Sequence, residues 1–416
     1  MRVAGGMLIL DTASGFEDGG PNLDLTGGDL TLGNAFDNGT ATFGNLSGSG
    51  QMRVDWGTTT SVTRTISLNE SSNTVYSGVL GYRAGLGRTL NLIKNGAGTL
   101  TLTGTNVFTG TTIISNGTLL VNGVLSTNAT STVTVATNAT LGGTGVINSA
   151  TTMQGGGALA PGANGIGTLT VSNNVSLLDG SRTLMELSKN GGALTNDLVF
   201  ITGTLTQGGT LILTNIATNA LVAGDSFQLF SAGTYAGGFV AFSLPALANG
   251  LCWNTNTLAT NGILAVAWNT YTLTYLADSN GTISGISPQT VSFNAGGSAV
   301  TTVANSGYAF TNWSDGLTAN PRMDANVTNN ISVTANFVNV APPVITNLNL
   351  ATGQTSFTLS GTGAAGQTYV LLSATNLPPV NWTPVATNTA DGNGVFMFTN
   401  LDTTNYHQRF YRVMTY

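Results

Sequence analysis

A Gly-Thr-Leu-like triplet returns along the first half of this chain at a spacing near twenty residues, and this recurrence restricts the fold more than any other feature. It reads Gly98-Thr99-Leu100, Gly117-Thr118-Leu119, Ala139-Thr140-Leu141 and Gly157-Ala158-Leu159. The leucines fall at 100, 119, 141 and 159, and one more such step reaches Leu177. Related triplets stand at Gly167-Thr168-Leu169, Gly203-Thr204-Leu205 and Gly209-Thr210-Leu211. Between them lie short alternating runs. Thr99-Leu100-Thr101-Leu102-Thr103 is the cleanest, with leucines pointing one way and threonines the other, as in a half-buried strand. The i, i+3, i+4 recurrence of a helix is almost absent. A unit of this size cannot bury its own apolar face, so it stacks on its neighbours. The pattern predicts a coil of short strands whose successive turns pair in parallel, about 4.7–4.9 Å apart. A sandwich or barrel of hairpins is the competing fold, because Asn116-Gly117 and Asn122-Gly123 are hairpin signals. Only the coil requires the same triplet to return in the same sense at a steady interval.

The charge map narrows the function. Charged residues make up 7 % of the 416, where about 25 % is usual. None occurs from Asn95 to Leu178, from Ser226 to Ala277 or from Ala325 to Ala390. Eleven basic residues and a net charge of −6 exclude a nucleic-acid partner, which needs Lys and Arg to neutralise phosphates. One Cys and one His exclude a disulfide framework and a metal centre held by several Cys or His; no cofactor is expected. The least polar stretch, Phe227 to Trp253, is broken by Gly237, Gly238, Pro245 and Asn249, so no segment of about 20 apolar residues is available to span a membrane. At the amino end, the four apolar residues Met7-Leu8-Ile9-Leu10 are fewer than the 7–15 or so of a secretory leader. The repeat pattern is already under way near Leu23, and we expect Met1 to lie inside a longer protein.

The run from Lys94-Asn95-Gly96-Ala97-Gly98-Thr99-Leu100 through Thr105-Asn106 and Phe108-Thr109-Gly110 to Asn116-Gly117-Thr118-Leu119 resembles the autotransporter-associated β-strand repeat of bacterial passenger regions. The likeness extends through Ala160-Pro161-Gly162, Thr195-Asn196-Asp197 and Leu244-Pro245-Ala246-Leu247. It implies a right-handed parallel β-helix over residues 1–268, exposed outside a Gram-negative-type cell. Family members end in a membrane β-barrel, and the chain after residue 268 is too short and too poorly matched for one. Residues 270–338 resemble the bacterial repeat related to the internalin B-repeat, on the pattern Gly307-Tyr308-Ala309-Phe310-Thr311-Asn312-Trp313 and the strand Ile331 to Phe337. This implies a small β-grasp-like module with Tyr308, Phe310, Trp313 and Phe337 in its core and no catalysis. Val338 to Pro343 reads as a linker, with Ala341-Pro342-Pro343 semi-rigid. Residues 342–416 hold short strands about ten residues apart, which suggest a small β-sandwich. They resemble the immunoglobulin- or fibronectin-like terminal modules of secreted bacterial proteins.

Hydrolysis or lysis of a polysaccharide needs paired carboxylates or a base with a metal. After the uncharged repeats the acids are Asp179, Glu186 and Asp197. Glu186 is expected in an ion pair with Arg182 or Lys189, or as an edge charge that discourages strand association. Asp11, Glu17, Asp18, Asp24 and Asp29 read as a solvated face or frayed end, with a Ca²⁺ site as the alternative. His407 reads as a surface histidine and Cys252 as a small buried thiol. Asp278-Ser279-Asn280-Gly281 and Asp391-Gly392-Asn393-Gly394 lack the Glu that an EF-hand loop carries at position 12, and read as turns. Trp56 and Trp382 are candidates for stacking on sugars, whereas Trp313 belongs to a core. Tyr416 is a terminal aromatic, but about eight strands of 9–11 residues do not fit in the last module. No catalytic, cofactor or metal residue is assigned.

The sequence therefore points to an all-β protein: a right-handed parallel β-helix, then a small β-grasp-like module, then a β-sandwich. The expected role is a non-enzymatic, secreted or outer-surface adhesin-like scaffold that meets extracellular polysaccharide, matrix or cell-surface ligands. The alternative is a carbohydrate-active enzyme or sugar-binding surface protein using a groove along the helix.

Overall fold

The computed structural model describes residues 1–11, 20–54, 61–81, 87–126, 130–162, 165–340, 342–350, 356–378, 381–402 and 408–415, with Asn400 and Asp402 described by their backbone only. The chain divides into two compact units, Met1–Trp268 and Asn269–Tyr416. The first is a stack of coils dominated by two eleven-stranded sheets in which strands of successive coils pair in parallel. This is a parallel β-helix, and the competing meander of hairpins is set aside.

Each coil visits three faces in turn. Face 1 carries Leu23–Leu25, Leu46–Gly48, Thr74–Tyr76, Thr99–Leu102, Gly117–Val121, Ala139–Gly143 and Ala158–Pro161, then Arg182–Asn190, Thr210–Asn215 and Ala241–Ser243. Face 2 carries Thr40–Phe43, Thr63–Asn69, Thr89–Asn95, Thr112–Ile114, Thr132–Val135, Ala150–Met153 and Val175–Leu177. Face 3 is thinner. It starts with Met7–Leu10, Asp29–Leu32 and Met52–Arg53, continues as single bridges at Leu80, Val124 and Val146, and recovers at Thr168–Val171. Faces 2 and 3 merge in one long strand, Leu198–Gln207. Its first half pairs with Thr168–Val171 and its second half with Val175 and Ser176.

The recurring triplet now has a physical cause. Leu100, Leu119, Leu141 and Leu159 are register partners in sequence on face 1, and each is at most 1 % exposed. The corner leading into that face needs a left-handed residue, supplied by Gly96, Gly117, Asn138, Gly156, Gly180 and Gly209 in successive coils. At Gly117 a Cβ would come within 2.4 Å of the Gly96 carbonyl oxygen in the coil next to it, so both its φ of +66° and the closeness of that coil demand glycine. Leu177 departs from the expected column. It lies on face 2 beside Met153, and Leu159 meets Thr183 instead. Extra residues after Pro161 lengthen this coil, and the fixed step fails there. The triplets at 168, 204 and 210 serve three different faces, their leucines pairing with Val199, Val175 and Thr183 respectively.

One apolar core runs through the stack from Val3 to Val266. Near its carboxyl end an antiparallel sheet of Ser226–Gln228, Leu251–Asn254 and Ile263–Trp268 packs Phe227, Leu264 and Val266 into that core. Such an end cap shields the last coil's apolar interior.

The second unit contains two separate cores. In one, Thr270–Ala277 and Ile331–Asn339 pair in parallel at the centre of a mixed sheet flanked by Gln289–Ser292 and Tyr308–Trp313. Trp313 is fully buried there, with Tyr308 and Phe310 partly buried and Phe337 buried around it. The strand through Val338 continues to Asn339, so the extended linker expected from Val338 begins later. In the other, two three-stranded antiparallel sheets, Val344–Leu350 with Ser356–Thr362 and Val395–Asp402, and Thr383–Thr389 with Thr368–Ala374 and Phe410–Thr415, enclose Phe357, Leu359, Tyr369, Leu371 and Phe396.

Candidate functional site

Two surfaces of the β-helix have an ordered chemistry. The first is the outside of face 2. Parallel register places one outward row on Thr42, Ser67, Ile93, Ile113, Thr134, Thr152, Ser176 and Thr206. A second row, two residues earlier on each strand, includes Thr40, Thr65, Asn91, Thr132, Thr204 and Thr234. Neither row contains a charged side chain. The Thr204 and Thr234 hydroxyls are hydrogen-bonded at 2.6 Å, and Asn91 Oδ1 accepts the Thr111 backbone N–H at 2.9 Å. The side chains are thus ordered along the stack, in a lattice of hydroxyls and methyls at the strand spacing of about 4.8 Å.

The second surface is a concavity of about 340 Å³ on the outside of face 1. It arises at the step where Ala158–Pro161 ends and the neighbouring Arg182–Asn190 runs on, turning back as Ala193–Asn196. Beyond Thr183 this longer strand has lost its partner on that side, and Asp197 takes the missing place. Its Oδ2 accepts the Glu186 N–H at 2.7 Å, its Oδ1 accepts the Gly167 N–H at 2.8 Å, and its own N–H donates to the Glu186 carbonyl oxygen at 2.8 Å. Asp197 is 1 % exposed. Burial pushes its carboxyl up to about 6, the Glu186 charge adds to the rise, and the two backbone N–H groups oppose it. Glu186 points outward in register with Thr214 and lines the concavity with Leu120, Ala160, Leu184 and Ile212. Its Oε2 is buried and has no hydrogen-bond partner. Chemically, Asp197 is committed to the backbone and held away from any ligand. Of the two carboxylates, only that of Glu186 is not engaged by the backbone.

The structure thus brings Glu186 and Asp197 together, and it corrects the expected pairing of Glu186 with Arg182 or Lys189. Lys189 reaches Asp225 instead, at 2.8 Å, because it lies at the hairpin end of the strand and Asp225 faces it there. Asp179 is exposed in a turn. Asp24 and Asp29 sit on strands of the first coils and pair with Arg2 and Arg53 at 3.5 and 3.3 Å. Glu17, Asp18, Trp56, His407 and Tyr416 lie outside the described residues. Cys252 is half-buried rather than enclosed, since its strand is on the rim of the end cap. The Trp313 indole donates to the Ala319 carbonyl oxygen at 3.0 Å, and Trp382 is half-buried under the Arg412 guanidinium. Asp278 and Asp391 each accept the N–H two residues on, as turn residues do. Among the described residues no group of three or more His, Cys, Asp or Glu could hold a metal, and no helix is long and apolar enough to cross a membrane.

Sequence reasoning missed the buried ions at the corners. Lys94 Nζ donates to the carbonyl oxygens of Asn95, Gly96 and Asn116 at 3.0, 2.9 and 3.0 Å, tying two coils together. Burial lowers it to about 8, against the favourable charge of Glu70. Glu70, itself raised by burial, accepts the Leu46 N–H and the Thr74 hydroxyl. Arg64 is fully buried against Asp37 and the Leu32 and Val54 carbonyl oxygens. The available signal was the isolation of Lys94, the last charge before the long uncharged stretch.

Comparison with known proteins agrees with this architecture. Residues 92–121 match the model of the passenger-associated-transport-repeat, and residues 271–341 match that of the divergent InlB B-repeat domain. A stretch of 57 residues is 49 % identical to the Adhesin BmaC autotransporter of Brucella suis biovar 1 (strain 1330), covering 13 % of this chain and 2 % of that protein. Residues 92–121 of the parallel β-helix are thus similar to a passenger-type repeat, and residues 271–341 to an InlB B-repeat.

Proposed function

We propose that this chain is the shaft of a surface adhesin, displayed outside the cell, and that it acts by non-enzymatic contact with extracellular polysaccharide, matrix or cell-surface ligands. The observation that carries the reading is the uncharged, in-register Thr/Ser/Asn lattice on face 2. Many similar weak hydrogen-bonding groups in register, interrupted by Ile93 and Ile113, suit avid attachment to a repetitive surface, where each contact adds little and the array adds much. The passenger-type repeat and the partial likeness to an adhesin autotransporter support display outside the cell. The InlB-like module over 270–338 and the sandwich over 342–416 complete the proposed division of the chain.

The test is retention of the purified chain on immobilised glycans and matrix proteins, beside a variant carrying both Thr134→Lys and Thr152→Lys. These adjacent lattice positions are partly exposed, so the substitutions add charge without touching the core. Retention should fall severalfold in the variant, while the two like charges in adjacent coils lower thermal stability only slightly. Cleavage of any polysaccharide that disappears in Glu186→Gln would overturn the non-enzymatic reading.

A further inference from the structure

We propose that Asn116–Gly117, at the corner leading into face 1, is a self-modification site at which the asparagine amide is lost through a cyclic imide formed with the Gly117 nitrogen. The inference goes beyond the adhesive reading and does not depend on it.

Proximity is the first ground. The Gly117 N–H donates to Asn116 Oδ1 at 2.8 Å, so the electron pair left when that proton departs faces the side-chain carbonyl it must attack. Glycine adds no Cβ to obstruct the approach. Activation is the second. Lys94 Nζ donates to the Asn116 carbonyl oxygen at 3.0 Å. That oxygen belongs to the same peptide unit as the Gly117 nitrogen and takes up negative charge as the nitrogen loses its proton. An ammonium fixed on it stabilises the anion as an oxyanion hole does. Lys94 keeps its proton near neutral pH, since burial lowers it only to about 8 and the charge of Glu70 favours the cation. Asn116 is itself exposed to the water that completes the reaction.

Contrast with other Asn–Gly pairs is the third. Lys94 also bonds the Asn95 carbonyl oxygen at 3.0 Å, but Asn95 Nδ2 is held on Ser67 Oγ at 2.9 Å. Oδ1 of Asn38 and of Asn122 accepts a backbone N–H of the neighbouring coil, from Thr63 at 3.2 Å and Thr144 at 3.1 Å. Asn261 Oδ1 accepts the Ile263 N–H at 3.2 Å. Asn116 combines a side chain resting on the following nitrogen with a cation on the intervening carbonyl.

In the reaction the Gly117 nitrogen loses its proton to solvent and bonds to Asn116 Cγ. The Cγ–Nδ2 bond breaks, and Nδ2 takes a proton from solvent and leaves as ammonia. Water then adds to one of the two imide carbonyls and opens the ring to a carboxylate. Opening at the main-chain carbonyl routes the backbone through the side chain and adds a carbon to a corner where even a Cβ on Gly117 would come within 2.4 Å of the Gly96 carbonyl oxygen.

The test incubates the whole purified chain near neutral pH, digests samples with pepsin in acid, and follows amide-to-acid conversion by peptide mass. Conversion at Asn116 should be at least about tenfold faster than at Asn38, Asn95, Asn122 or Asn261. In concentrated urea, which removes the fold, the rates at these sites should converge. Lys94→Met removes the ammonium and should slow Asn116 at least about tenfold while leaving the other sites unchanged. Conversion at Asn116 no faster than at the other sites, or a lead that persists in urea, would overturn the proposal. So would an unchanged Asn116 rate in folded Lys94→Met; should that variant fail to fold, the comparison of native and urea-unfolded protein decides.

Discussion

Truncating Leu119 tests the stacked column most directly. Its side chain is fully buried, and its register partners Leu100 and Leu141 are fully buried above and below it. Removing a buried leucine side chain costs about 2–5 kcal/mol, the upper end applying where surroundings cannot collapse into the void. Here parallel ladders on both sides hold the backbone at fixed spacing, so Leu119→Ala should cost about 3–5 kcal/mol. Because each coil contacts chiefly its neighbours, the loss falls on one interface, and the two flanks should begin to melt apart. Urea titration followed by far-UV circular dichroism should show an earlier and broader transition. Hydrogen exchange should rise first over residues 99–121. Leu120→Ala is the control, since the adjacent residue lies on the outer side of the same strand and is half-buried. Its cost should stay below about 1 kcal/mol. Equal destabilisation by the two substitutions, or a loss under about 1 kcal/mol for Leu119→Ala, would refute the column.

Lys94→Met keeps the stem but removes the donor to three carbonyl oxygens, and should cost about 1–3 kcal/mol for each acceptor left dry; thermal denaturation reads the loss, and an unchanged melting temperature would sink the clamp. The Asp197 carboxyl is raised from an ordinary 3.8 to about 6, so the folded state holds its proton more tightly than the unfolded state does. Its contribution to stability is fully present below about pH 4 and is lost as pH rises through about 6. Stability measured by urea between pH 4 and 7 should therefore contain a component that Asp197→Asn removes, and identical pH profiles for the two proteins would contradict the assignment.

The flat parts of this fold were legible because they obey a rule of two. In Thr99–Leu102 the alternation of Thr with Leu gives the strand, its inner side and its stacking register together. The single-period reading failed at Leu177 because a coil can lengthen at a corner without disturbing the faces, and a leucine then arrives one face early. Face 3 was not foreseen, since positions such as Leu80 and Val124 join it through single bridges, too short to leave an alternating pattern. The carboxylate pair was visible only as two acids eleven positions apart. Their meeting depends on the hairpin that carries Ala193–Asn196 back along Arg182–Asn190, and local alternation does not specify which hairpins form.

The distribution of charge follows from the same geometry. On a face, neighbouring coils bring equivalent positions within about 4.8 Å, so one charge repeated through the stack would meet its own kind at every level. Hydroxyls and amides can repeat at that spacing and even bond to one another, as Thr204 and Thr234 do. At corners the backbone leaves the ladder and exposes carbonyl oxygens that need donors, and there a single buried cation such as Lys94 is favourable. The uncharged faces and the few buried ions are therefore two consequences of stacking. A charged side chain on a face should therefore stand beside uncharged or oppositely charged register neighbours, as Arg182 does between Ala158 and Thr210 and Glu186 does beside Thr214.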